Sequence, residues 1–243
     1  MSRRIEDLAA AYWERVGRDE PFPRRLERVI PLFDPVSLVA LTRLAPSGVS
    51  AWLRRRGAGV PIAAPERPLD GCLFVYRDQV AIFVDAGLDP NTRGLIVAHE
   101  FAHYLAEYRA PRERVARRLD PSLLLICDGD RAAGPDERLG ATLAGVALAA
   151  HVHFMERPSG RRLPAATRAV EARADALALE LIAPRRIVLG CAQAEGIAPG
   201  DRALLRALLE GRFGVPGRWA APYARRLAAG AARRRGFSES WGI

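Results

Sequence analysis

The sequence predicts an α+β protein. Two β-rich runs form a hairpin, a helix carrying His-Glu-x-x-His follows directly, and helical stretches flank both. The runs are Cys72-Leu-Phe-Val-Tyr76 and Val80-Ala-Ile-Phe-Val84, separated by Arg77-Asp-Gln79. Their β-branched and aromatic residues between polar breaks read as antiparallel strands. The motif is Ala98-His99-Glu100-Phe101-Ala102-His103. Asn91 or Thr92 can cap its helix, Leu95, Ile96 and Val97 give it apolar mass, and Pro111 is expected to stop it.

Residues four apart on a helix lie one turn above each other, so His99 and His103 present both imidazoles on one face and can grip one metal ion such as zinc. Glu100 then sits beside that ion as a base for water. Glu107 continues the stripe, but eight residues correspond to about 12 Å of helix rise, beyond the reach of a ligand bond. A third ligand must come from elsewhere. The candidate is the helix from Val170 to Pro184, where Glu171 and Asp175 lie four apart on one face. Glu171 can bind metal while Asp175 accepts the free N–H of a ligating histidine, fixing its tautomer. Ala174 and Ala178 on this helix, with Ala98, Ala102 and Ala106 on the first, allow close approach.

Elsewhere the chain reads as follows. Ile5, Leu8, Tyr12, Trp13 and Val16 mark an amphipathic helix. Asp34 to Arg56 reads as two short helices divided near Pro46-Ser-Gly48, a superficial helix-turn-helix in which Val49, Trp52 and Leu53 look like packing residues. Pro61 to Pro68 is a proline-rich connection. Residues 109–136 read as irregular, and Glu137 to Glu156 as a helix with Leu139, Leu143, Val146 and Ala150 in helical spacing. His151 and His153 fall at its end, where two residues correspond to about 200° around the axis. An extended backbone would instead put both on one face. Neither is counted as a ligand. One of them, or Tyr104, could serve as proton donor or oxyanion stabiliser. Arg185 to Gly236 gives three helical stretches ending in a basic segment, Arg225, Arg226 and Arg233 to Arg235, read as a solvated face.

At 243 residues, 49% hydrophobic and 27% charged, the chain is an ordinary soluble globular protein. The net charge of +9 would suggest an anionic partner, but all 37 basic residues are arginine, a coding bias that weakens the inference to nucleic acid. Cys72, Cys127 and Cys191 are odd in number, far apart and outside any metal spacing, as expected of reduced thiols in the cytoplasm. Glu6, Asp7, Glu14 and Arg15 interrupt any signal core, and no apolar run reaches the roughly 18 residues a membrane span needs. A cytoplasmic protein without membrane association is expected.

The hairpin, the Ala-His-Glu-Phe-Ala-His run and Glu171-x-x-Ala174-Asp175-x-Leu177-Ala178-x-x-Leu181-Ile182-x-Pro184 together resemble the ImmA/IrrE family of zinc metallo-endopeptidases. That family's second motif runs Glu-x-x-Ala-Asn/Asp-x-Phe-Ala, then two aliphatics and a proline. The resemblance covers residues 70–185, with a similar closing helix pair at Arg212–Pro216 and Tyr223–Leu227. It implies a zincin-like α+β domain over 67–185, a helical lead-in over 1–66 and C-terminal helices over 186–243. It further implies Zn2+ held by His99, His103 and Glu171, Glu100 as catalytic acid/base, and Asp175 supporting the first histidine. Leu177 replaces the usual aromatic. The 67 residues between His103 and Glu171 exceed the usual spacing, implying a lid or substrate-specific insert at 110–165. Family members often sit beside a DNA-binding repressor that they cleave or regulate, so the expected activity is cleavage of a regulatory protein such as a repressor. The rival readings are a non-hydrolytic regulator of the same fold and a DNA-binding regulator with structural zinc.

Overall fold

The structure, a computed structural model, describes residues 2–17, 19–58, 62, 64–77, 79–118, 123–127, 130–132, 134–135, 138, 151–156 and 164–241. The chain divides into two compact units, residues 27–175 and residues 1–26 with 176–243. These divisions differ from the sequence-based ones at 66 and 185, because most of helix α2 (Leu26–Phe33), the strand Val36–Leu41 and the helix Pro46–Arg55 join the first unit, and the helix Ala165–Ile182 is divided after residue 175.

The 27–175 unit is mixed α+β. Its sheet contains β1 (Val36–Leu41), β2 (Leu69–Tyr76), β3 (Gln79–Asp85) and β4 (His151–Glu156) in the order β1-β3-β2-β4. β2 pairs antiparallel with β3, as the hairpin reading requires, and with β4, while β1 runs parallel to β3. β2 and β3 are buried almost throughout, because both faces of the sheet are covered. On one face Cys72, Phe74, Ala81 and Phe83 form a core with Leu44, Val49 and Leu53, the last two from α3 (Pro46–Arg55). The other face meets the motif helix α4 (Pro90–His103), which closes onto Gly71 of β2 through Ile96 and Glu100.

α4 is capped by Asp89, whose carboxylate accepts from the N–H groups of Asn91 and Thr92 at 3.1 and 3.0 Å, with Pro90 at the first helical position. The cap lies two or three residues earlier than expected. Pro111 does not stop the helix. A π-helical turn, Tyr104–Arg109, follows α4 directly, with Ala110 N–H bonded to Leu105 O, and α5 (Ala110–Arg118) and α6 (Leu123–Cys127) come after it, so the stretch read as irregular carries helices. This switch in bonding pattern carries the chain past a residue without a donor.

Two further expectations are corrected. The Asp34–Arg56 segment is a strand followed by a helix, so the helix-turn-helix reading fails: Val36–Leu41 satisfies its backbone on β3 rather than within a helix. Residues 151–156 are strand β4 rather than a helix end, held to β2 in the register Leu73↔His153 and Val75↔His151. The rest of the expected Glu137–Glu156 helix, at 139–150, lies outside the described residues. So does part of the proline-rich connection, at Pro61 and Ala63.

The other unit is helical. The helices α1 (Ser2–Val16), α8 (Arg185–Ala194), α9 (Arg202–Gly211) and α10 (Gly217–Trp241) belong to it, with the end of α7 (Ala165–Ile182). The α7 end is tied by side chains. Trp13 Nε1–H donates to Leu181 O at 3.0 Å, and the Tyr223 hydroxyl donates to Ala183 O at 3.0 Å. The basic segment Arg233 to Arg235 lies outside the residues whose side chains are described. No described helix is long and apolar enough to cross a membrane.

Candidate metal centre

α4, β4 and α7 bring His99, His103, His153 and Glu171 together, each with one donor atom within 4.8 Å of the others. All lie within the 27–175 unit. His99 and His103 are 2% and 0% exposed, as a position on the sheet-facing side of a buried helix dictates. Their Nε2 atoms are 3.1 Å apart, and Glu171 Oε2 lies 3.3 Å from the first and 3.8 Å from the second. A tetrahedron with bonds of about 2.0–2.1 Å has edges of roughly 3.3 Å, so this triangle has the dimensions of three ligands to one ion.

The other ring nitrogens are held by carboxylates. His99 Nδ1 lies 3.0 Å from Asp175 Oδ1, the partnership that the four-residue spacing of Glu171 and Asp175 predicts. His103 Nδ1 lies 3.2 Å from Glu107 Oε1, a charge contact whose alignment falls short of a hydrogen bond. Glu107 therefore is out of ligand reach, as the helix rise requires, but it supports the second histidine. Arg173 in turn approaches Glu107 at 3.4 Å.

His153 is the residue sequence reasoning left out. In β4 it shares a sheet face with His151 and points to α4, because its antiparallel partner Leu73 stands two residues from Gly71. Its Nδ1 is 2.8 Å from Glu100 Oε2 and its Nε2 is 2.9 Å from Glu171 Oε1. The signal was the alternation His151-Val-His153-Phe-Met, in which Val152 and Phe154 pack on the opposite face. His151 Nε2 comes no nearer than 4.0 Å to Glu107 Oε2 and stays outside the four. Tyr104 is buried against Phe101 and Tyr108.

Electrostatics favour a cation here. Glu100, Glu107, Glu171 and Asp175 converge on three imidazoles, and with those rings neutral the surplus of negative charge suits a bound cation. Burial opposes charge on His99, but the hydrogen bonds its ring donates to Asp175 and Glu171 prevail and raise its pKa to about 9. Burial likewise opposes charge on His153, which the Glu100 carboxylate lifts to about 10. Burial opposes ionisation of Glu171, yet its three histidine neighbours hold it far below the usual carboxylate range. Glu100 itself is fully buried, and its Oε1 has no hydrogen-bond partner among the described residues. Imidazole and carboxylate donors at these separations suit a divalent ion of the zinc type.

Compared with protein-family models, curated proteins and solved structures, the chain matches none of them.

Proposed function

We propose that this protein is a zinc-dependent endopeptidase. The observation that carries the reading is the triangle of His99 Nε2, His103 Nε2 and Glu171 Oε2, with edges of 3.1 to 3.8 Å, beside a buried Glu100. His99, His103 and Glu171 would hold the ion, which when bound supplies Lewis acidity towards a carbonyl and a lowered pKa for water. The motifs' resemblance to the ImmA/IrrE family supports the same roles.

Glu100 does the proton work. Its Oε1, buried and unpartnered, would accept the proton of the attacking water and return it to the leaving amine. Asp175 and Glu107 keep both imidazoles of α4 turned with Nε2 towards the centre. β4 stands at the end of the sheet order, so its outer edge is unpaired among the described strands. An extended peptide could add to that edge by main-chain hydrogen bonds, and β4 carries His153 to the centre, so the peptide would run past it. The substrate class is a protein segment able to adopt an extended strand, a repressor among the candidates. The zincin-like identity of the fold, the action inside the cell and the regulatory target belong to this same proposal.

The test is a digest of proteome-derived peptides by zinc-loaded protein, read as new N-termini by mass spectrometry. Wild type should generate them and Glu100→Gln should not, although both bind zinc. Equal cleavage by the two would refute Glu100 as the base. No cleavage by either, with one zinc per chain, would favour the non-hydrolytic reading.

A further inference from the structure

We infer that His153 is a fourth protein ligand and Glu100 its orienting carboxylate, so that the resting centre is closed and cleavage requires His153 to withdraw. The inference rests on the metal reading above and goes beyond it, because nothing in the His-Glu-x-x-His motif calls for a fourth histidine.

The argument is one of repeated geometry. Three imidazoles surround the centre, and each has a carboxylate beside Nδ1, hydrogen-bonded at His99 and His153 and in contact without hydrogen-bond alignment at His103. His99 turns Nδ1 to Asp175 at 3.0 Å, His103 turns Nδ1 to Glu107 at 3.2 Å, and His153 turns Nδ1 to Glu100 at 2.8 Å. Nε2 of His99 and of His103 then faces Glu171 Oε2, at 3.3 and 3.8 Å, and Nε2 of His153 faces the other oxygen of the same carboxylate, Oε1, at 2.9 Å. A carboxylate on one ring nitrogen and metal on the other is the usual support of a ligating histidine. By that pattern His153 is a ligand equivalent to the other two. A merely structural histidine on β4 would not need its Nε2 at the same carboxylate.

The consequence concerns water. Three protein ligands leave a position open for catalysis, whereas four close the sphere in the manner of structural sites. Glu100 is also engaged, since its Oε2 faces His153. One side chain thus blocks the water position and occupies one oxygen of the base. His153 belongs to β4, the end strand of the sheet with its side chain 15% exposed, so the blocking residue stands on the element an incoming strand would meet. Adding a peptide to β4 and freeing Glu100 are therefore coupled through this one residue.

X-ray absorption of the zinc-loaded wild type at neutral pH provides the direct test. The expected result is three imidazoles and one carboxylate oxygen with no exchangeable water. In the cobalt(II)-substituted protein, azide should leave the visible spectrum unchanged in wild type and shift it in His153→Ala. Glu100→Ala should weaken zinc binding about 10- to 100-fold, as loss of a ligand's carboxylate partner does. Two imidazoles in the wild type, with zinc bound as tightly by His153→Ala and Glu100→Ala as by wild type, would overturn the inference and leave the three-ligand reading standing. Failure of every form to bind zinc or cobalt would overturn both. The wild-type spectrum decides the matter even if a variant fails to fold.

Discussion

Gly71 of β2 lies directly beneath Glu100 of α4: a β-carbon at Gly71 would stand 2.8 Å from Glu100 Oε1 and 2.6 Å from Ile96 Cγ2. The absent side chain is what lets the motif helix sit on the sheet with its glutamate fully buried. Gly71→Ala should therefore push Ile96 and Glu100 away and cost about 1–3 kcal/mol of stability, as overpacking does. Denaturant unfolding reads the loss. Unchanged stability would mean that α4 shifts freely on the sheet.

Purified protein should carry about one zinc per chain after dialysis, since converging imidazoles and a carboxylate form a tight site. His99→Ala and His103→Ala should each reduce occupancy steeply. Full occupancy in the double variant, by elemental analysis, would remove the metal from α4.

The carboxylates should rank by their distance from the centre. Glu171→Ala should lower zinc affinity by orders of magnitude, because Oε2 belongs to the triangle. Asp175→Ala and Glu107→Ala should each cost about 10- to 100-fold, since they hold only the outer nitrogens of His99 and His103. Competition titration with a chromophoric chelator measures all three. A Glu107→Ala protein as weak as Glu171→Ala would place Glu107 among the ligands.

Glu180, in the other unit, should make stability depend on pH. It accepts from Arg185 N–H at 3.1 Å and is surrounded by Glu6, Arg24, Arg185 and Tyr223. Burial raises its pKa from 4.5 to about 7, Arg185 opposing and Glu6 assisting. Between those values the folded protein keeps a proton that the unfolded chain has lost. Its contribution is therefore fully present below about 4.5 and lost as pH rises through about 7. Glu180→Gln should flatten this slope and stabilise the protein at pH 8 on the order of 1 kcal/mol, less than full burial would give because solvent still reaches the carboxyl. Urea unfolding of both proteins at pH 5 and pH 8 checks the sign. A variant less stable than wild type at pH 8 would contradict it.

The sequence by itself determined the local geometry of the centre. Four-residue spacing on a helix places His99 with His103 and Glu171 with Asp175 whatever the rest of the chain does, because the helical period is a property of the backbone. The hairpin was equally legible, since two short apolar runs around a polar turn have one compact solution. What tertiary structure decided was everything that crosses between elements. Val36–Leu41 reads as helix from the sequence, and pairing with the edge of β3 makes it a strand. His151 and His153 change from opposite sides of an expected helix to one face of β4 once β2 supplies the ladder. Glu107 continues the His99, His103 stripe by its spacing, and the packed structure makes it a partner of His103 rather than a ligand. Helical patterns act over one turn and can be read along the chain. A strand has no internal hydrogen bonds, so its existence, and the direction in which His153 points, depend on a neighbour distant in sequence.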